Sequence, residues 1–324
     1  MVGLGVAFYM LFGKGAADLL VEQLMHREQV ITRAGAASID SFLILAGKSL
    51  ALLATTNSDQ KDLQKFVEEW KGTPIQGVSV VDSRGVVRLI VNQTGSMIGK
   101  GLSISDREYF PRVQTAKDGK VVIGKAIISR LGQTQGRFIV PLVSAMVDNN
   151  GEFTGALLSS AVIDELTVKY LNPLKMSDKT GIYLLGDDGT VLYSSVGLKT
   201  GENVLDYLHK NPFLGSEVLV KKAENELKKG EEGKLNLVWP GPGGWQRYLV
   251  AYSPIKLEEG KWWYLVMTTP VEDALVFMGP IYVRIVGIFA LVFLGILIYA
   301  IQLAKYFAFK EAQKYEHKLH GIKE

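Results

Sequence analysis

The chain has 324 residues, with 36 Lys and Arg against 33 Asp and Glu, a net charge of +3 and no cysteine. A balance this close to neutral excludes the basic footprint of a nucleic-acid binder, and the missing cysteines exclude disulfides and thiolate metal sites. Hydrophobic residues make up 48%, which is ordinary for a globular protein with one or two membrane spans.

In chain order, Met1 to Phe12 (MVGLGVAFYMLF) is apolar but short for a membrane span, and it lacks the basic start of a signal peptide. Residues 1–13 are read as an anchor whose beginning lies upstream. From Lys14 to Ala54 no proline occurs, and Leu20, Leu24, Ile31, Phe42, Leu45 and Leu52 recur at helical spacing. This predicts a long amphipathic stalk helix within 14–58. The small run Ala34-Gly35-Ala36-Ala37-Ser38 would admit close approach, either by the helix's own domain or by a second copy of the chain.

After Asn57-Ser58-Asp59, Leu63, Phe66, Val67 and Trp70 outline a short helix, which Gly72-Thr73-Pro74 ends. The period then shortens to that of strands. Gly77-VSVVDSRGVVRLI reads as two strands around an Asp-Ser-Arg-Gly turn. Asp106 to Thr115 reads as a helix capped by Asp106. Strands follow over Val121–Ser129, Phe138–Val147 and Phe153–Val162, with Asn149-Asn150-Gly151 turning the last two into a hairpin. Asp164 to Tyr170 closes the block as a helix.

The pattern then repeats. Gly181-IYLLGDDGTVLYS matches the first strand pair, and the stretch from Arg247 to Leu275 matches the one from Arg137 to Leu166. In the second copy, helices are expected over 204–208 and 216–229, with a loop from Trp239 to Trp245. The organisation is therefore α+β: two tandem domains with antiparallel sheets, membrane-distal 59–175 and membrane-proximal 176–272. Ile285 to Leu303 then carries no charge and is long enough to cross a bilayer as a helix, so 274–304 is assigned as the transmembrane segment. Arg284 reads as an interfacial anchor at its leading edge. The lysines of the tail, 305–324, set against Glu272 and Asp273, place the tail in the cytoplasm and the sheet domains outside.

Catalytic signals are sparse. Of the four histidines, only His209 lies in a sheet domain, and no Gly-x-Ser-x-Gly elbow is present. His317 and His320 sit at helical spacing in a solvated tail. Asp187-Asp188-Gly189 is a turn, and Gly241-Pro242-Gly243-Gly244 lacks the Lys-Ser/Thr of a phosphate cradle. No cofactor, metal site or enzymatic activity is expected. The informative stretch is Asp106-Arg107-Glu108-Tyr109-Phe110, in which a guanidinium beside two aromatic rings suits a small carboxylate.

The Asp-Arg-x-Tyr-Phe signal, the Gly-flanked strand Gly124 to Ser129, the Pro141 strand and the tandem order together resemble the double Cache sensor family. That family supplies PAS-like extracytoplasmic parts of bacterial histidine kinases, chemoreceptors and cyclic-nucleotide signalling proteins. The resemblance covers about Lys14 to Leu303. It implies a ligand in the distal domain, with Arg107, Tyr109 and Phe110 lining its pocket, together with Ser129 and Arg130 at the strand end and Ser160 on the last distal strand. The amino-acid-binding subgroup carries Arg-x-Trp-Tyr and an Asp that holds the amino group. Here Tyr109-Phe110 and Ser160 stand at those places, so a small carboxylate is expected in preference to an amino acid, and the proximal domain is expected to stay empty.

The functional expectation is a transmembrane receptor of the bacterial inner membrane. It would sense a small metabolite, dimerise through the stalk and act on a cytoplasmic kinase, chemotaxis or cyclic-nucleotide output. The alternative is an extracytoplasmic interaction or adhesion module without a small-molecule ligand.

Overall fold

A computed structural model describes residues 14–56, 59–116, 120–210, 217–241, 244–258, 261–276 and 279–320. The anchor segment 1–13 and the tail's last residues, 321–324, lie outside the described ones. The chain divides into two compact units, 1–271 and 272–324, taken here separately.

The first unit is organised on helix α1, Lys14–Thr55. With a mean hydropathy of 1.5 in an 18-residue stretch within Asp18–Thr55, α1 is long and apolar enough to cross a membrane. One face of it goes instead into protein, where Ile39, Leu43, Ala46 and Leu50 are fully buried, while Leu45 and Leu52, expected in the buried stripe, are exposed. It is a core helix.

Helix α2, Gln60–Glu69, starts as its sequence dictates. The Asp59 carboxylate accepts from the Lys61 and Asp62 amides at 2.7 and 3.1 Å, and Asp62 returns a bond to the Asp59 amide. Leu63, Phe66 and Val67 form its buried stripe.

The distal sheet comprises β1 (Ile75–Asp82), β2 (Val87–Asn92), β3 (Val121–Ile123), β4 (Ile127–Ile128), β5 (Phe138–Val147) and β6 (Phe153–Val162). Its order is β2-β1-β6-β5-β3, with β4 also on β5, and every pairing is antiparallel. Helix α3 (Tyr109–Gln114) lies in the long connection after β2, and α4 (Ile163–Tyr170) follows β6.

The proximal sheet comprises β7 (Gly181–Leu185), β8 (Val191–Ser194), β9 (Gly233–Gly241), β10 (Gly244–Glu258) and β11 (Lys261–Pro270), in the order β8-β7-β11-β10-β9. Helices α5 (Val204–Lys210) and α6 (Glu217–Lys229) form the connection between β8 and β9. The two orders are the same permutation, so the internal repeat in the sequence is a structural repeat. Both first hairpins turn at a glycine with positive φ, Gly85 at 83° and Gly189 at 82°, the backbone region that other residues occupy at a cost.

Three boundaries depart from the sequence reading. The strand expected over 121–129 is broken between Ile123 and Ile127. The Asp106 helix begins only at Tyr109, and Asp106 does not cap it. The segment 239–245 is the tip of a hairpin in which β9 runs through Trp239 and Pro240 to pair with β10.

Strand alternation gives each sheet two faces. One face of both sheets packs on α1 in a single hydrophobic cluster that includes Val140, Leu142, Ile182, Leu184, Leu265 and Met267. The opposite face of each sheet is covered by described residues of its own crossover, among them Ile104, Tyr109, Phe110 and Val113 in the distal domain and Val204, Leu205 and Leu227 in the proximal one. A cavity lies beneath each crossover.

In the second unit, α7 (Val271–Val276) is followed by α8 (Gly279–His320), in which an 18-residue stretch within Gly287–Lys310 has a mean hydropathy of 2.4. Phe289, Leu291 and Phe293 are exposed on it, and it is long and apolar enough to cross a membrane.

Candidate ligand-binding site

The distal cavity is bounded by the outward face of β1, β2 and β6 and by the connection that carries α3 and the 127–134 segment. Its volume is about 40 Å³. Five of the six residues singled out from the sequence line it: Arg107, Tyr109, Ser129, Arg130 and Ser160.

Phe110 does not line it. Its ring is 2% exposed and meets Phe153 edge-on at 6.2 Å in the second distal core cluster. Successive residues on a helical turn point ~100° apart, so Tyr109 and Phe110 cannot face the same space. Tyr109 takes the cavity side and Phe110 the core.

The acidic-basic run before α3 works as a clasp on the opposite wall. Asp106 accepts from Arg130 Nη1 at 2.8 Å, Arg107 Nη2 donates to the Ile128 carbonyl at 3.1 Å, and Glu108 accepts from the Lys125 amide at 2.8 Å. The hydrogen bond from Arg130 holds the Asp106 carboxyl below its usual range. The Lys125 bond replaces a ladder bond where the strand breaks. At that break, a Cβ on Gly124 would stand 2.5 Å from Pro141 Cγ and 2.9 Å from Tyr109 Cδ1. Glycine there lets the tyrosine ring seat against the sheet.

Tyr109 is 2% exposed, and burial raises its phenol well above the ordinary range, so it stays a neutral hydroxyl. Ser129 is buried and shares a hydrogen bond with Thr134 at 2.8 Å. Ser160 stands on β6 opposite Pro141.

The cavity also takes residues that the sequence reading passed over: Gln76, Asn92, Gln133 and Thr134. Gln133 donates to Gln76, and Gln76 donates in turn to Glu165 on α4. Arg137 holds the same carboxylate at 2.6 Å and Asp164 at 2.7 Å. These are single polar residues from three distant segments, and no local spacing marks them. The one local signal was Asn92-Gln93-Thr94-Gly95, a turn in which the Asn92 side chain accepts from the Thr94 and Ser96 amides.

His209 lies on α5 at 3.9 Å from Glu224.

Residues 16–276 match the sequence profile of the Cache domain family. No curated protein sequence matches the chain. Among solved structures, it is similar to the ligand-binding domain of the Pseudomonas fluorescens chemoreceptor CtaA in complex with L-isoleucine, at 13% identity and a TM-score of 0.54, covering 80% of this chain and 98% of that one. The ligand-binding domain of the Pseudomonas aeruginosa PAO1 amino acid chemoreceptor PctB in complex with L-Arg gives 15% identity, 78% and 97% coverage and a TM-score of 0.54. The periplasmic sensory domain of the Campylobacter jejuni chemoreceptor Tlp1 gives 16% identity, 81% and 97% coverage and a TM-score of 0.51. The chain spans 39% of the length of a further match, an extracellular ligand binding receptor from Desulfohalobium retbaense DSM5692. At these identities the solved structures establish the fold, and the profile match over most of the chain establishes the family: the protein belongs to the double Cache family of sensor domains.

Proposed function

We propose that the chain is the sensory part of a bacterial inner-membrane receptor, which binds a small carboxylate in its distal domain and has no catalytic role of its own. The observation that carries this reading is the charge of the distal cavity. Among the described residues Arg107 and Arg130 line it and no Asp or Glu does; Arg130 is paired with Asp106 at 2.8 Å, so Arg107 is the cation that faces a ligand. CtaA and PctB were solved with L-isoleucine and L-Arg. An amino acid brings an ammonium as well as a carboxylate, and a desolvated ammonium needs an acidic partner. Here Ser160 supplies only a hydroxyl. A cavity of about 40 Å³ holds roughly three water-sized centres, which favours acids of two or three carbons.

Around that site, the apolar stretch 285–303 crosses the membrane, with the lysine-rich tail in the cytoplasm. Leu45 and Leu52 on α1, seven residues apart, are exposed, and this supports a homodimer through the stalk. The partner beyond the membrane is a kinase, chemotaxis or cyclic-nucleotide output. The ligand acts by binding one conformational state more tightly than the other.

The test is calorimetric titration of the full chain in lipid nanodiscs with acetate, pyruvate and L-alanine. Saturable binding of acetate or pyruvate, absent in Arg107→Ala, is expected. Tighter binding of L-alanine would make this an amino-acid sensor. Binding of none of the three would favour the interaction-module reading.

A further inference from the structure

The larger cavity is in the other domain. Beneath the proximal crossover, between the outward sheet face and α5 and α6, is a space of about 1040 Å³. It occupies the place in the repeat that the distal cavity occupies, yet it is some 26 times larger (1040 against 40). In the distal domain Ile104, Tyr109 and Val113 fill the equivalent layer, all nearly fully buried. In the proximal domain α6 presents the small Ala223 there.

The lining chemistry also differs. Five tyrosines face the space: Tyr183, Tyr207, Tyr248, Tyr252 and Tyr264. Register places them close together: Val266 pairs with Tyr183 on one side and with Tyr252 on the other, and Tyr248 pairs with Pro270 and Leu237. Four of the five hydroxyls are engaged in the wall. Tyr183 bonds Thr268, Tyr248 donates to Gln246 at 3.2 Å, Tyr252 donates to the Glu226 carboxylate at 3.1 Å, and Tyr264 donates to the Glu226 carbonyl. With those four hydroxyls spent, rings and aliphatic side chains such as Leu227, Leu235 and Val250 make up most of the wall, beside a few polar groups such as Gln246 and Thr268. Asp178, Lys179 and Lys222 are exposed at its mouth.

We propose that this proximal cavity is a second ligand site, one that takes a largely apolar, ring-bearing small molecule, distinct in chemistry from the anion of the distal domain. Aromatic walls favour a rigid ring, which can stack or meet them edge-on. A space of this size fits a drug-sized molecule, and most of its wall is apolar with only a few polar groups. A ligand here wedges between the crossover helices and the sheet whose last strand, β11, leads into α7.

Benzophenone is a suitable probe, being apolar, two-ringed and photoreactive toward C–H bonds. The full chain in nanodiscs is irradiated with it, and the labelled peptides are mapped by mass spectrometry. Label is expected in peptides carrying Tyr183, Tyr248 or Val266, suppressed by excess biphenyl. It should fall at least fivefold in Val266→Trp, which fills the space from the sheet. Ala223→Trp fills it from the helix side, so the test stands even where the strand variant does not fold. Label in the apolar stretch 285–303 serves as an internal reference and should be unchanged. Absence of label between 178 and 271, or label there that neither filling variant reduces, overturns the proposal.

Discussion

The Thr269 hydroxyl on β11 donates to Glu28 Oε1 on α1 at 2.6 Å, across 241 residues of sequence. Glu28 is fully buried, and its second carboxyl oxygen has no hydrogen-bond partner. Burial raises the carboxyl to about 8, against a smaller opposing effect of the Thr269 bond.

This fixes the sign of a pH dependence. An unfolded glutamate ionises near ~4.3, whereas the folded one keeps its proton to about pH 8. Between those values the folded state binds the extra proton, so stability falls as pH rises, by up to ~1.4 kcal/mol per unit, and the loss levels off above. Glu28→Gln removes that slope. Melts of the full chain should show the variant at or below wild type at pH 4.5 and clearly above it at pH 9. A constant difference between the two across that range would contradict the assignment.

Arg107 joins the cavity to its outer wall. Truncating one partner of a desolvated charged pair costs ~2–5 kcal/mol, and ~1.4 kcal/mol is tenfold in affinity. Arg107→Ala should weaken acetate or pyruvate binding about thirtyfold or more with little change in melting temperature. Arg107→Lys should recover little, since an ammonium lacks the forked geometry. Unchanged affinity in the alanine variant would leave the arginine as a wall clasp only.

Gly124 tests the seat of the Tyr109 ring. A methyl group placed 2.5 Å from Pro141 and 2.9 Å from Tyr109 must displace one of them. Overpacking of this kind costs ~1–3 kcal/mol. Gly124→Ala should lower the denaturation midpoint accordingly, and Tyr109→Ala in the same chain should relieve part of the penalty. Full additivity of the two would show that the ring and the methyl do not meet.

The Asp59 cap is exposed and local. Asp59→Ala should cost ~0.5–2 kcal/mol, and Asp59→Ser should restore most of it. A loss beyond that range in a urea titration would mean that Asp59 holds more than its helix.

Topology has its own check. A reporter active only in the periplasm, fused after Lys310, should be silent. Strong activity would reverse the orientation and remove the receptor reading.

Much of this was legible in the sequence. The helical span of α1, the hairpin turns at Gly85 and Gly189 and the repeated strand order follow from periodicity and turn chemistry, which are local properties. The buried face of α1 was misplaced, since Leu45 and Leu52 are exposed and Ile39, Leu43, Ala46 and Leu50 are buried. Where the reading failed, the cause was non-local. The strand over 121–129 breaks after Ile123, where the Lys125 amide turns to Glu108, a partner from another segment. Phe110 turns to the core because Phe153 waits there. The Gln133-Gln76-Glu165 chain joins three separate stretches, and no spacing in any one of them announces it. The proximal cavity is likewise bounded by residues from separate stretches, such as Tyr183, Ala223 and Tyr248, and no spacing in any one of them announces it.

Helix α1 carries both sheets on one uninterrupted screw: Glu28 meets β11 of the proximal domain, and Leu43 and Leu50 lie in the core it shares with the distal one. A helix advances ~1.5 Å and turns ~100° with each residue. Removing one residue between Thr32 and Ile39 would therefore swing one domain's footprint about a quarter turn away from the other's, and no side-chain repacking could absorb that. Adding seven residues would return the footprints to within ~20° of phase, with the domains set further apart along the axis. The spacing of the two domains can thus drift in steps of two turns, while their azimuth cannot drift at all.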